Sequence, residues 1–127
     1  MQDVFIVSAA RTAIGKFGGS LASVPVVDLG KTAIEAAIER AGIEKTEVDE
    51  VIMGMVLQAG HDLDAARVSA LRAGIPEEVP AATVNKACGS GMKAVVMASV
   101  KVPITKAKTV KKVRSLVRNR LVWAVAR

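Results

Sequence analysis

Few residues of this chain can do chemistry. One Cys, one His and no Tyr occur among 127 residues, so any nucleophilic or acid–base function rests on a handful of positions. Cys88 heads the run Cys88-Gly89-Ser90-Gly91, which the surrounding pattern places between a strand and a helix. Free backbone N–H groups and the helix dipole at such a junction favour an anion and so activate a thiol. Gly89 and Gly91, without side chains, let a substrate or a second backbone segment approach closely. A nucleophilic thiolate fits this setting. A lone cysteine also fits as a small buried hydrophobe, and the residues by themselves leave both readings open.

Three other groupings lose to simpler explanations. Ile14-Gly15-Lys16-Phe17-Gly18-Gly19-Ser20 has a Gly-Lys pair, but a phosphate loop needs Gly where Ala10 stands and a hydroxyl where Phe17 stands. It reads as a flexible turn after the first strand. Gly89-Ser90-Gly91-Met92-Lys93-Ala94 fits a loose dinucleotide pattern, yet no acid follows Glu78 anywhere in the chain to hold a ribose. His61, in Gly60-His61-Asp62-Leu63-Asp64, has no second His or Cys at ligand spacing, so a solvated loop leading into a helix cap is the better reading, and no metal is expected.

The elements that must position Cys88 come from hydrophobic periodicity. Val4–Val7 and Val51–Leu57 are short continuous apolar runs, expected for strands buried on both faces. Between them Leu29, Ala33, Ala37 and Ala41 recur every four residues, with Ile34 and Ile38 widening the stripe. That spacing predicts a helix from a cap at Asp28 to a stop at Gly42. Asp64 is expected to cap a second helix through Ala73, which Gly74 and Pro76 end. A weaker strand at Ala81–Val84 leads to Cys88, and the apolar stretch Met92–Ser99 predicts a third, buried helix. The order β-α-β-α-β-α predicts an α/β fold with a mostly parallel sheet covered by helices.

Several of these segments are recognisable together. Val4 to Ser20, Val48 to Gly54, Val56 to Gly60 and above all Val84-Asn85-Lys86-Ala87-Cys88-Gly89-Ser90-Gly91-Met92-Lys93-Ala94 resemble the N-terminal region of thiolases, most of all the biosynthetic acetyl-CoA acetyltransferases. The resemblance covers residues 1–99 and implies an incomplete thiolase-type N-terminal domain with a mixed sheet covered by helices. It implies a Claisen exchange in which a cysteine takes an acyl group from one acyl-CoA and passes it to the α-carbon of another. Cys88 matches the nucleophile, and its own backbone N–H would be one oxyanion donor. Coenzyme A thioesters are then substrates, with no separate cofactor. In the family a histidine activates this thiol and a second cysteine deprotonates the other acetyl group, both from a C-terminal half. Neither is matched here, since His61 lies in a different motif and Cys88 is the only cysteine. Met55 stands where the family usually has Asn, and Asp64-Ala65-Ala66 precedes the matching Arg67 where an Asn-Pro is usual. The resemblance also implies a homo-oligomer.

The charge is divided abruptly. Residues 1–99 carry a net −3 and residues 100–127 a net +9 with no acid, so the overall +6 is a property of the tail. The division predicts two segments: the thiolase-like 1–99 and an atypical basic tail, 100–127. One reading of the tail is a basic amphipathic helix through Val110, Val113, Val117, Leu121 and Ala124, suited to anionic surfaces and making the chain a non-enzymatic binding module. The favoured reading is a lost reading frame near codon 100, so that the chain is a truncated acyltransferase inactive alone and no specific nucleic-acid or membrane partner is expected. No apolar run reaches the ~20 residues of a membrane span, Met1-Gln2-Asp3 lacks the basic start of a signal peptide, and a lone cysteine permits no internal disulfide. The expected compartment is the cytoplasm.

Overall fold

A computed structural model of the chain describes residues 4–100 and the backbone of a strand at 120–125. The elements run β1 (Phe5–Arg11), α1 (Val26–Ala41), a 3-10 turn (Lys45–Glu47), β2 (Val51–Gly54), α2 (Ala65–Arg72), β3 (Ala81–Val84), α3 (Ser90–Val100) and β4 (Arg120–Val125). β1 pairs with β4 and β2 with β3, both in parallel. Parallel neighbours need crossover connections. Here α2 lies between β2 and β3 along the chain, as the alternating pattern predicts.

The α1 stripe behaves as its spacing requires. Val27, Gly30, Ala33, Ile34, Ala37 and Ile38 are buried, and the helix packs on β1, β4 and α2. Gly42 closes it in the left-handed conformation at φ 63°, its N–H returning to Glu39 O. Its start differs from expectation. Pro25 precedes the first turn and no side chain caps it; proline, with no N–H to satisfy and a fixed φ, starts the helix at Val26, before Leu29 gives a periodic signal. Asp28 therefore sits inside the first turn, where it accepts from Arg72 Nη1 at 2.6 Å. Both partners are over two-fifths exposed, so the pair adds little stability.

The core is Ile34, Ile38, Val51, Ala70, Ala73, Ile75 and Val79, with Met53 and Ala81 against it. Small residues let α1 and α2 approach closely. A Cβ at Gly30 would stand 2.5 Å from Ser69 Oγ, and Ser69 is itself 1% exposed.

Three expectations are corrected. β1 is not buried on both faces: Phe5 is 45% and Ile6 62% exposed. α3 begins at Ser90, and although it packs on β2, only Ser90 and Ala94 on it are buried; Met92, Val96 and Val100, four residues apart, form an exposed apolar stripe. An all-apolar helix needs neighbours on every side, and the described residues supply them on one. Finally, Arg120–Val125 is a strand paired in parallel with Phe5–Arg11, with a register shift between Ile6 and Ser8, so the helix expected through Leu121 and Ala124 does not extend there. Val122 to Val125 include β-branched and aromatic residues that suit a pleated strand. The rest of that expected helix, Val110, Val113 and Val117, lies outside the described residues.

Candidate active site

Cys88 is exposed, on the turn that joins β3 to α3. That turn is built by its neighbours. Ala87 has φ 43°, the one non-glycine residue with positive φ among the described residues. For a residue with a Cβ this costs about 1–3 kcal/mol and persists only where surrounding contacts enforce it.

Those contacts converge on the peptides flanking the thiol. Asn85 Oδ1 accepts from the Ala87 N–H at 3.0 Å, a local turn that asparagine side chains favour. Asn85 Nδ2 donates to Val56 O at 2.9 Å, tying the turn to the loop after β2. Ser90 Oγ accepts from the Lys86 N–H at 2.8 Å and donates to Ala87 O at 2.7 Å. The Ser90 N–H also donates to Ala87 O, at 3.1 Å, and the Gly89 N–H to Lys86 O at 2.9 Å. Ser90, at the inner end of this network, is 3% exposed, while Asn85, Lys86 and Ala87 are exposed like the thiol.

The turn rests on β2. A Cβ on Gly54 would collide with the backbone of Ser90 and Gly91, so only glycine lets the α3 N-terminus lie directly on the strand. One residue on, the Met55 N–H donates to Val84 O at 3.0 Å and continues the β2–β3 ladder. Met55, which departs from the family pattern, thus keeps its backbone role here.

Asp64 and Arg67 set the approach to β3. Asp64 Oδ1 accepts from the N–H groups of Ala66 at 3.0 Å and Arg67 at 3.2 Å, capping α2 as expected. It also accepts from Thr83 Oγ1, which in turn accepts from the Ala66 N–H at 2.9 Å, pinning the cap to β3. Arg67 Nη1 and Nη2 each donate at 2.8 Å, to Val79 O and Glu77 O. Arg67 thereby braces the segment entering β3. His61 is exposed on the loop before α2, its N–H bonded to Gln58 O. Among the described residues no cluster of three His, Cys, Asp or Glu could hold a metal.

The site is thus an exposed thiol on a strained turn, with a helix starting two residues later. Residues 4–110 match the family model for the thiolase N-terminal domain. The chain belongs to the thiolase family. It is 60% identical over 99 residues to an acetyl-CoA acetyltransferase of Cupriavidus necator, covering 78% of this chain and 25% of that protein. It is 53% identical over 110 residues to the acetyl-CoA acetyltransferase of Escherichia coli, covering 87% and 28%. Among solved structures it is similar to the Bacillus anthracis acetyl-CoA acetyltransferase, with TM-score 0.75 and 41% identity over 78% of this chain and 25% of that one. The Acat5 thiolase of Ascaris suum in complex with coenzyme A gives TM-score 0.75 and 37% identity, covering 78% and 26%. The thiolase N-terminal architecture expected from the sequence is thus present, and the chain spans about a quarter of the length of the curated relatives it matches. The motifs pointed to Cys88. Asn85, Ala87, Ser90 and Gly54 stand in the family-like segments but were given no part in shaping the turn, although Asn two residues before a turn residue is itself a signal.

Proposed function

We propose that these 127 residues carry the acyl-cysteine half of a thiolase-type acyltransferase site, with Cys88 as nucleophile and acetyl-CoA or a similar thioester as acyl donor. The supporting observation is the exposed Cys88 on a strained, hydrogen-bonded turn two residues before α3, in a chain of this family. In the step proposed, the Cys88 thiolate attacks the thioester carbonyl and the oxyanion is met by backbone N–H donors at the turn. Collapse then breaks the carbon–sulfur bond of the donor. Coenzyme A leaves as the thiolate and takes a proton, and the acyl group stays on Sγ.

Condensation requires a general base for the thiol and a second base for the incoming acyl α-carbon. His61 is on a different loop and no second cysteine exists in the 127 residues. The chain alone is therefore a truncated acyltransferase, able to take an acyl group but not to turn over, with no cofactor beyond its coenzyme A thioester substrates. Homo-oligomeric assembly and a cytoplasmic location complete the proposal. Among the described residues no helix is long and apolar enough to cross a membrane.

Incubation with acetyl-CoA followed by intact-mass and peptide analysis tests this. A single acetyl group on Cys88, absent from Cys88→Ser, is the expected result. No adduct, or one that survives in Cys88→Ser, overturns the assignment of the nucleophile. Steady cleavage of acetoacetyl-CoA by the chain alone overturns its inactivity.

A further inference from the structure

We infer that Ser90 is a positioning residue for the acylation of Cys88, acting with Asn85 to aim the Cys88 N–H at the thioester oxyanion; this rests on the nucleophile assignment made above. The peptide joining Ala87 to Cys88 is a rigid plane whose C=O and N–H point in opposite directions. Ser90 holds that carbonyl twice, through its hydroxyl at 2.7 Å and its own N–H at 3.1 Å. Pinning the carbonyl toward the start of α3 fixes the Cys88 N–H on the far side of the plane. Ala87 and Cys88 are exposed, while Ser90, whose hydroxyl holds the peptide between them, is 3% exposed.

The preceding peptide is held just as firmly. Its N–H, that of Ala87, bonds to Asn85 Oδ1 at 3.0 Å, and the Lys86 N–H bonds to Ser90 Oγ at 2.8 Å. Between these two clamps Ala87 is kept at φ 43°, a conformation it would leave if released. The Ser90 hydroxyl thus uses its one donor and one of its two acceptor lone pairs within the turn. Its effect on chemistry passes through the direction of one N–H.

That route predicts a split between two reactions of the same thiol. Acylation by phenyl thioacetate builds an oxyanion: Sγ bonds to the carbonyl carbon, the bond from that carbon to the donor's sulfur breaks, benzenethiolate leaves and the thiol proton passes to buffer. Alkylation by iodoacetamide displaces iodide and builds no oxyanion. In Ser90→Ala, acylation of Cys88 should fall about tenfold or more, while alkylation changes by less than about threefold. Ser90→Thr keeps the hydroxyl and should restore most of the acylation. Ala87→Gly removes the cost of positive φ, so adding Ser90→Ala to it should have a smaller effect than Ser90→Ala alone. Where Ser90→Ala does not fold, the exposed Asn85→Ala, which frees the Ala87 N–H, takes its place in the same comparison. Equal losses in both reactions, or unchanged acylation in a folded variant, overturn the inference. A wild-type chain that alkylates at Cys88 but does not acylate there overturns instead the reading on which it rests, and the inference with it.

Discussion

At the scale of single residues, the site depends on an atom that is missing. Gly54 has no Cβ, and a methyl group there would overlap the backbone of Ser90 and Gly91. Backbone cannot swing aside as a side chain can, so the helix must lift or the strand must bend. Gly54→Ala should destabilise the chain by more than about 2 kcal/mol and slow acylation of Cys88, because the displaced α3 start is the platform of the turn. Urea unfolding and the rate of acylation check the two effects. A midpoint equal to wild type would mean that α3 does not rest on β2 as described. Cys88 stood out through the longer thiolase-like segments around it, because Cys-Gly-Ser-Gly after a strand by itself left a small buried thiol open as well. The role of Gly54 was not legible, since its partner lies 36 residues on and close approach leaves no local pattern.

At the scale of elements, the strongest sequence signals were those with both a period and a cap. α1 was legible from its four-residue stripe and Gly42, and α2 from Asp64, because each signal is written in adjacent residues. Boundaries set by tertiary contact were less so. β2 stops at Gly54 although the apolar run continues to Leu57, since the chain turns there over α3, and α3 is half exposed because burial depends on neighbours and not on composition. Asp64 shows how a local cap acquires a second duty. Its carboxylate bonds two N–H groups of α2 and the Thr83 hydroxyl of β3, so its loss uncaps a helix and leaves Thr83 without that partner. Asp64→Ala should cost about 2 kcal/mol, toward the upper end for a cap, and Asp64→Asn, which keeps the oxygen acceptor, less than half of that. Thermal or urea melts of the two variants decide it; equal losses would show that charge and not the cap geometry matters.

At the scale of the whole molecule, charge and topology give opposite impressions of the tail. By composition residues 100–127 stand apart from an acidic body, at +9 against −3, yet Arg120–Val125 enters that body as the partner of β1. No periodicity argument could have placed it, because pairing of strands more than a hundred residues apart is a tertiary fact, and a short apolar run fits a strand or a helix equally well. The consequence is testable through the backbone alone. β1 bears exposed Phe5 and Ile6, and without β4 it would also present unpaired N–H and C=O groups, a template for association. Proline at position 123, opposite Ala9 in the register, removes a backbone donor and opposes pairing in mid-strand. Trp123→Pro should therefore lower stability by about 2–3 kcal/mol and raise light scattering at concentrations where wild type stays clear, whereas Trp123→Val, a good strand former, should leave the scattering unchanged. If Trp123→Pro matches wild type in both unfolding midpoint and scattering, the β1–β4 pair contributes nothing to the fold, and the body must protect its own edge.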